Sequence, residues 1–469
     1  MNNQQTTLDL STLQQRRSHL TQQLQHPVML WSGKRAPRNF PANTFPFRAS
    51  SHFLYFAGLN IENAILRLDG DRTELYVDNP DPGEVLWHGE MPQRDDLATT
   101  IGADAAFDLA AASQHAADAA TIPHPDDSIR IQQSQLLQRT VDWPLSDRDR
   151  ALADVIVSLR LCHDTAAIDQ LRQASPVTVA AHQAAMAATP HAQTEAEVRA
   201  ALEGIFLAHN MTPAYSSVVT VQGEVLHNEV YTHTIQPGDL LLADAGAETP
   251  SGWASDVTRT WPVSGRFSPT QRDIYDVVLA AHDACIEKAQ PGVEYRDLHL
   301  LAAHTIAQGL VDLGILRGNP ENLVEMDAHA LFFPHGVGHL LGLDVHDMED
   351  LGDLAGYAPG RQRCDRFGLA FLRLNRMLEA GMLVTIEPGF YQVPAILNDP
   401  QRRQRYQEVV NWERLAQFQD VRGIRIEDDV LITNSGNEVL TADLPTAAAE
   451  IEQLVHAPKS NTPSPIEPQ

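Results

Sequence analysis

Two hydrophobic periods alternate along the second part of this chain. From Ser146 to Ala188, apolar residues recur at helical spacing in SDRDRALADVIVSLRLCHDTAAIDQLRQASPVTVAAHQAAMAA. The same spacing returns in EAEVRAALEGIFLAHN, PTQRDIYDVVLAAHDACIEKA and YRDLHLLAAHTIAQGLVDLG. Strand-like runs follow each group of helices: first SSVVTVQG, DLLLADAGAE and ASDVTRTWPVSG, then MLVTIEPGFYQV and IRIEDDVLITNSG. Two rounds of helices followed by strands predict an α+β domain with an internal pseudo-duplication. The first 150 residues read differently. A helical start is followed by short strand-like runs (PVMLWSG, HFLYFAGL, AILRLDG, TELYVDN) set off by Gly, Asp, Asn and Pro turn signals, and by the Ala-rich LAAASQHAADAATI. That pattern predicts a smaller α/β domain.

A chain of 469 residues is long for one core, so two domains are the natural division. The expected boundaries are 1–155 for the N-terminal domain, 156–457 for the larger one, and 458–469 for a Pro/Ser-rich disordered tail. No apolar run reaches the roughly 18 residues that a membrane span needs. The polar start MNNQQTTLDLSTLQQRRSHL lacks the apolar centre of a signal peptide. A cytoplasmic protein is expected. The formal charge of −27 argues against nucleic acid or an anionic membrane as partner. Cys162, Cys285 and Cys364 are odd in number and outside any CxxC spacing, which suits reduced structural thiols.

Five residues stand in unusual settings: Asp244 in LLADAGAE, Asp256 in SDVTRTW, His339 in HGVGHLLGLDVHD, Glu387 in TIEPGFY and Glu427 in GIRIEDDV. Asp244 and Asp256 flank a turn-rich loop, and a hairpin would bring two anions together, which is unfavourable without a cation between them. Glutamates inside β-branched strands are costly to bury unless paired or metal-bound. Four carboxylates and one imidazole suit Mn²⁺, Co²⁺ or Zn²⁺, and two such ions would activate a water for hydrolysis. Glycines at 336 and 338 argue against a helical zinc-protease motif, while His335, His339 and His346 cluster within twelve residues. Asp428 and Asp429 read as solvated or turn-capping. Trp87 and His88 read as part of the N-terminal core in preference to an exposed contact.

Together these motifs resemble the pita-bread metallopeptidases, in particular the proline-specific branch of prolidase and aminopeptidase P. The likeness covers about residues 150–445, with a weaker match in TFPFRASSHFLYFAG. It implies a pita-bread (creatinase/aminopeptidase-like) catalytic domain behind a smaller α/β N-terminal domain. It also implies two divalent ions, Mn²⁺ foremost with Co²⁺ or Zn²⁺ as alternatives, and short proline-containing peptides as substrates. Asp244 would be a terminal ligand, Asp256 and Glu427 would bridge, and His339 and Glu387 would complete the second ion's shell. His227, His346 and Glu387 would be catalytic, the histidines holding the scissile carbonyl and Glu387 carrying a proton. On the substrate side His335 would line the proline pocket and Arg373 would meet a C-terminal carboxylate. Arg425, grouped with them, would support the site behind Glu427. The long stretches between His346, Glu387 and Glu427 are similar to prolidase, so a Xaa-Pro dipeptidase is the preferred reading and a Xaa-Pro aminopeptidase the alternative. A catalytically inactive binding protein of the same fold is a third reading, disfavoured by the complete ligand set. Relatives form dimers or tetramers, so a homodimer or homotetramer is expected.

Overall fold

The computed structural model describes residues 8–456, and the tail expected at 458–469 lies outside them. The chain divides into two compact units, Met1–Ala166 and Ala167–Gln469. Helix Asp147–Arg160, which the sequence boundary splits between domains, lies whole in the first unit and packs on helix Leu10–Thr21. Among the described residues no helix is long and apolar enough to cross a membrane.

In the first unit, β1 (Val28–Trp31), β2 (Ile65–Asp69), β3 (Arg72–Tyr76) and β4 (Ala105–Phe107) form one sheet in that order. β1, β2 and β3 pair antiparallel and β4 joins parallel to β3. The β2–β3 hairpin closes through Gly70, whose φ of +55° suits a tight Gly-Asp turn. Met29, Trp31, Ile65 and Tyr76 pack on Ala112, Ala116, Ala119 and Ile129; the small alanines of the Ala-rich segment let it approach the sheet closely. HFLYFAGL, expected as a strand, is instead helix Ser51–Ala57. Ser50 caps its start, Gly58 ends it at φ +70°, and every residue in it is buried. A short helix buried on every face has no periodicity to set it apart from a buried strand. Trp87 is 77% exposed and His88 is also exposed, so neither belongs to the core.

In the second unit the predicted strands form in sequence order. β5 (Val218–Thr220), β6 (Leu240–Asp244) and β7 (Thr258–Pro262) make an antiparallel sheet with β6 in the centre. β8 (Leu383–Ile386) pairs with β11 (Asp428–Ile432), which also pairs with β12 (Asn437–Val439). β9 (Gly389–Tyr391) pairs with β10 (Gly423–Arg425). Helices Thr165–Ala188 and Glu195–Ala208 precede the first strand group, and Pro269–Lys288 and Tyr295–Asp312 precede the second. Helix Pro269–Lys288 starts at a capping box of Ser268 and Gln271, with proline at its first position. It packs on helix Tyr295–Asp312 and lies over β8, β9 and β10. Trp253, Trp261, Tyr275 and Tyr295 are fully buried in this unit.

Candidate metal centre and substrate cavity

Strand register assembles the acidic cluster. Asp244, the last residue of β6, stands opposite Thr258, the first of β7. Asp256 lies two residues before Thr258, and period-two alternation puts it on the same side. The Ala245 N–H donates to the Val257 carbonyl at 3.0 Å, so the pairing continues toward it. The Tyr215 hydroxyl hydrogen-bonds Oδ1 of both Asp244 and Asp256. Gly246 makes this closure feasible, because a Cβ there would strike the Ser255 carbonyl.

The remaining ligand candidates come from the second strand group. Ile386 pairs with Asp428 and Gly389 with Arg425 in one continuous register, which sets Glu387 opposite Glu427. The Glu427 N–H donates to the Thr258 carbonyl at 3.0 Å, and the Thr258 hydroxyl donates to Glu427 Oε2 at 2.6 Å. The segment carrying His339 is extended, not helical, and runs along β8. Its ladder consists of Glu387 N–H to the Val337 carbonyl (2.8 Å), Thr385 N–H to the His339 carbonyl (3.0 Å) and Leu341 N–H to the Leu383 carbonyl (3.1 Å). Gly338, at φ +152°, passes so close that a Cβ would overlap the Thr385 carbonyl and the Tyr295 hydroxyl. His339 Nδ1 donates to the Leu340 carbonyl at 3.0 Å, which leaves the Nε2 lone pair facing the carboxylates. That nitrogen is 3.3 Å from Asp256 Oδ2 and 3.6 Å from Glu387 Oε1. Donor atoms of Asp256, His339 and Glu427, all buried, lie within 4.8 Å of one another.

This donor set fits divalent cations. Burial, then the charges of neighbouring carboxylates, push Asp256, Glu427 and Glu387 well above the ordinary carboxylate range. Burial lowers His339 to about 4, so it is neutral and offers a lone pair. One guanidinium, Arg425, touches the cluster: its Nη2 donates to Asp244 Oδ2 at 2.6 Å. A lone pair and several carboxylate oxygens aimed at one small volume repel one another until a cation joins them.

The other predicted residues divide into two groups. His346 faces His339, with ring centroids 4.3 Å apart, and its Nδ1 is 3.1 Å from Glu349 Oε2. Arg373 sits in a non-helical segment, lines one cavity with His339, His346 and Glu349, and is bonded to Glu349. His227 is exposed on the loop after β5, within electrostatic reach of Asp244, Arg425, Arg373 and His346. His335 is more enclosed: Nε2 is 2.9 Å from the Tyr391 hydroxyl, Nδ1 is 2.7 Å from the Gly336 carbonyl, and its ring packs on Phe333. Burial lowers it to about 3. Arg425, grouped above with the substrate-side residues, is directed at the carboxylate cluster. It is 3% exposed, and Nε, Nη1 and Nη2 are committed to Thr258, Tyr391 and Asp244. Its nitrogens thus tie Asp244 to Thr258 of β7 and Tyr391 of β9.

Sequence reasoning passed over Tyr215, Thr258 and Tyr391. Thr258 and Tyr391 lie two residues after Asp256 and four after Glu387, so strand alternation alone would have put both on the ligand face. Asp428 and Asp429 are not solvated; both are buried. Burial opposes ionisation of Asp428, but Arg259, at 2.8 Å, and His282 outweigh it and hold the carboxyl below its usual range. Asp429 accepts from the Ser255 hydroxyl at 2.7 Å and from the Asp256 N–H at 3.1 Å, fixing the backbone under Asp256. Of the cysteines, Cys285 is buried, Cys162 intermediate and Cys364 exposed.

The model of metallopeptidase family M24 matches residues 169–434, and that of the aminopeptidase P N-terminal domain matches residues 13–124. A probable Xaa-Pro aminopeptidase of Botryotinia fuckeliana is 31% identical over 427 residues, covering 87% of each chain. The Xaa-Pro aminopeptidase of Haemophilus influenzae is 30% identical over 465 residues, 94% of this chain and 96% of that one. The structure of aminopeptidase P from E. coli with the inhibitor Pro-Leu matches at a TM-score of 0.78 and 28% identity, covering 96% of this chain and 98% of that one. These names favour the aminopeptidase alternative over the dipeptidase preferred from stretch lengths. The chain therefore belongs to metallopeptidase family M24, in its proline-specific pita-bread branch, with an aminopeptidase P-type N-terminal domain.

Proposed function

We propose that this protein is a Xaa-Pro aminopeptidase that releases the N-terminal residue from short peptides with proline second. Two divalent ions, Mn²⁺ foremost, would be held by Asp244, Asp256, His339, Glu387 and Glu427. The observation that carries the reading is the convergence of Asp256, His339 and Glu427 donors within 4.8 Å, with His339 Nε2 turned toward carboxylates. The relatives named above supply the substrate class.

When bound, such ions supply an activated water and an electrophile for the scissile carbonyl. The chain's own residues do the rest. Asp256 and Glu427, on segments tied together through Thr258, would hold the ions together with Asp244 and His339. Glu387, whose Oε1 lies 3.6 Å from His339 Nε2, would be the proton carrier, taking a proton and passing it to the imide nitrogen that leaves with proline. His346 and His227 would orient the carbonyl and stabilise charge that develops on its oxygen. His335, packed on Phe333 and Tyr391, offers the compact apolar wall that a proline ring needs. Arg425 keeps Asp244 and Tyr391 in place.

A second reading, dipeptide hydrolysis, rests on one observation: Arg373 lines the cavity that His339 and His346 share, and a guanidinium suits a free carboxylate. The test is hydrolysis of a Xaa-Pro dipeptide and a Xaa-Pro-Xaa tripeptide under added Mn²⁺. Release of the first residue from the tripeptide supports the aminopeptidase. Cleavage of the dipeptide alone would replace it with the dipeptidase.

A further inference from the structure

The cavity beside His339 and His346 is rimmed by two arginines, and each already has a carboxylate partner. Arg363 Nη2 is 2.6 Å from Asp353 Oδ1. Arg373 Nη1 donates to both oxygens of Glu349, at 2.6 and 2.7 Å. The second pair is unusual in form. A single nitrogen takes both carboxylate oxygens, so the guanidinium fork is not used, and Nε and Nη2 of Arg373 have no partner among the described residues. Glu349 also receives His346 Nδ1 at 3.1 Å, so one carboxylate joins the arginine to the imidazole. Burial opposes the charge on Glu349, but the bonds from His346 and Arg373 hold its carboxyl down to about 2, so it is an anion at neutral pH. The two ion pairs on the rim therefore present guanidinium donors with no net charge of their own. An incoming free carboxylate finds Arg373's unused N–H groups and, a few ångströms away, the repelling charge of Glu349.

We infer that Glu349 is a specificity-determining residue: by cancelling the charge of Arg373 it lowers the site's preference for substrates that end in a free carboxylate next to the scissile bond, and so favours peptides longer than two residues. The inference rests on the peptidase reading above. In a Xaa-Pro dipeptide the carboxylate belongs to the leaving proline. In a tripeptide it is one residue, about 3.5 Å, farther out, and in a dipeptide amide it is absent.

The test measures kcat and KM of the Mn²⁺-loaded protein on Ala-Pro, Ala-Pro amide and Ala-Pro-Ala. In Glu349→Gln, which keeps a side-chain acceptor for His346, the ratio of kcat/KM for Ala-Pro over Ala-Pro amide is expected to rise about tenfold. That lies between the interaction of two unit charges about 4 Å apart in bulk water and that of the same pair near a protein surface. The change should lie in KM for Ala-Pro. Any disturbance of His346 affects all three substrates alike and leaves the ratio untouched. In Arg373→Met, where Glu349 stands alone, the ratio should fall, and in the double variant it should return to within about threefold of wild type. An unchanged ratio in Glu349→Gln overturns the inference; if that variant fails to fold, an unchanged ratio in Arg373→Met does so. Wild-type inactivity on all three peptides would instead remove the peptidase reading and the inference with it.

Discussion

Glu387 stands opposite Glu427 across a ladder whose register is the same on both sides of them, from Ile386–Asp428 to Gly389–Arg425. Two carboxylates placed as cross-strand neighbours repel, and a sheet tolerates such a pair poorly. The pair persists here next to Asp256 and the lone pair of His339. Arg425 is a single positive charge beside these carboxylates, and their excess negative charge is what a bound cation would offset.

The metal-free protein should show this in its pH dependence. Burial, reinforced by neighbouring charge, raises Asp256, Glu427 and Glu387 in the folded state. Groups with raised folded values contribute stability that is fully present below the unfolded carboxylate value, about 4. That contribution is lost as pH rises through the folded values. Bound cations remove the penalty. The gap in Tm between Mn²⁺-loaded and metal-free protein should therefore widen from about pH 5 to about pH 8. Thermal melts of both forms across that range check it; a constant gap would mean that the cluster carries no such strain.

Arg425→Lys should keep the fold and lower kcat/KM by about 10–100-fold, the usual cost of losing a group that orients ligands. An ammonium cannot hold Thr258, Tyr391 and Asp244 in one planar arrangement. Steady-state kinetics with metal content measured on the same sample decide it, and wild-type turnover would show that the brace is dispensable.

Gly338→Ala should destabilise the protein by more than about 1 kcal/mol and impair metal binding. The new methyl group meets the Thr385 carbonyl and the Tyr295 hydroxyl, and the displaced segment carries His339 one residue later. A denaturant melt and a metal titration of the variant are the checks.

Asp428→Ala should cost about 3–5 kcal/mol, because it leaves a buried guanidinium uncompensated. Arg259 is fully buried and also donates to the carbonyls of Glu427 (2.6 Å) and Leu444 (2.8 Å). Neither side chain is expected to touch substrate, so residual activity of folded protein should survive. Urea unfolding with activity measured below the transition separates the two effects.

Much of this was legible in the sequence because the site residues sit in motifs that conflict with their surroundings: acidic side chains at the ends of apolar strands, and glycines flanking histidines. The hairpin that brings Asp244 and Asp256 together was legible as two alternating runs around a turn-rich loop, whereas the pairing of Glu387 with Glu427 was not. Other features depend on contacts between segments far apart in the chain. Tyr215 reaches Asp244 and Asp256 from a segment with no distinctive pattern. Asp428 and Asp429 look like a polar turn, and only the arrival of Arg259 and Ser255 makes their burial affordable. Helix Ser51–Ala57 was read as a strand because its buried surface covers every face. The preference for a dipeptidase came from segment lengths, which say how much chain surrounds a cavity and little about which peptide it accepts.

The most direct test is a calorimetric titration of Mn²⁺ into metal-free protein, with Glu427→Gln titrated alongside. The account predicts about two ions per wild-type chain and loss of at least one in the variant. A wild-type chain that takes up no Mn²⁺, or a variant that binds as wild type does, would contradict it.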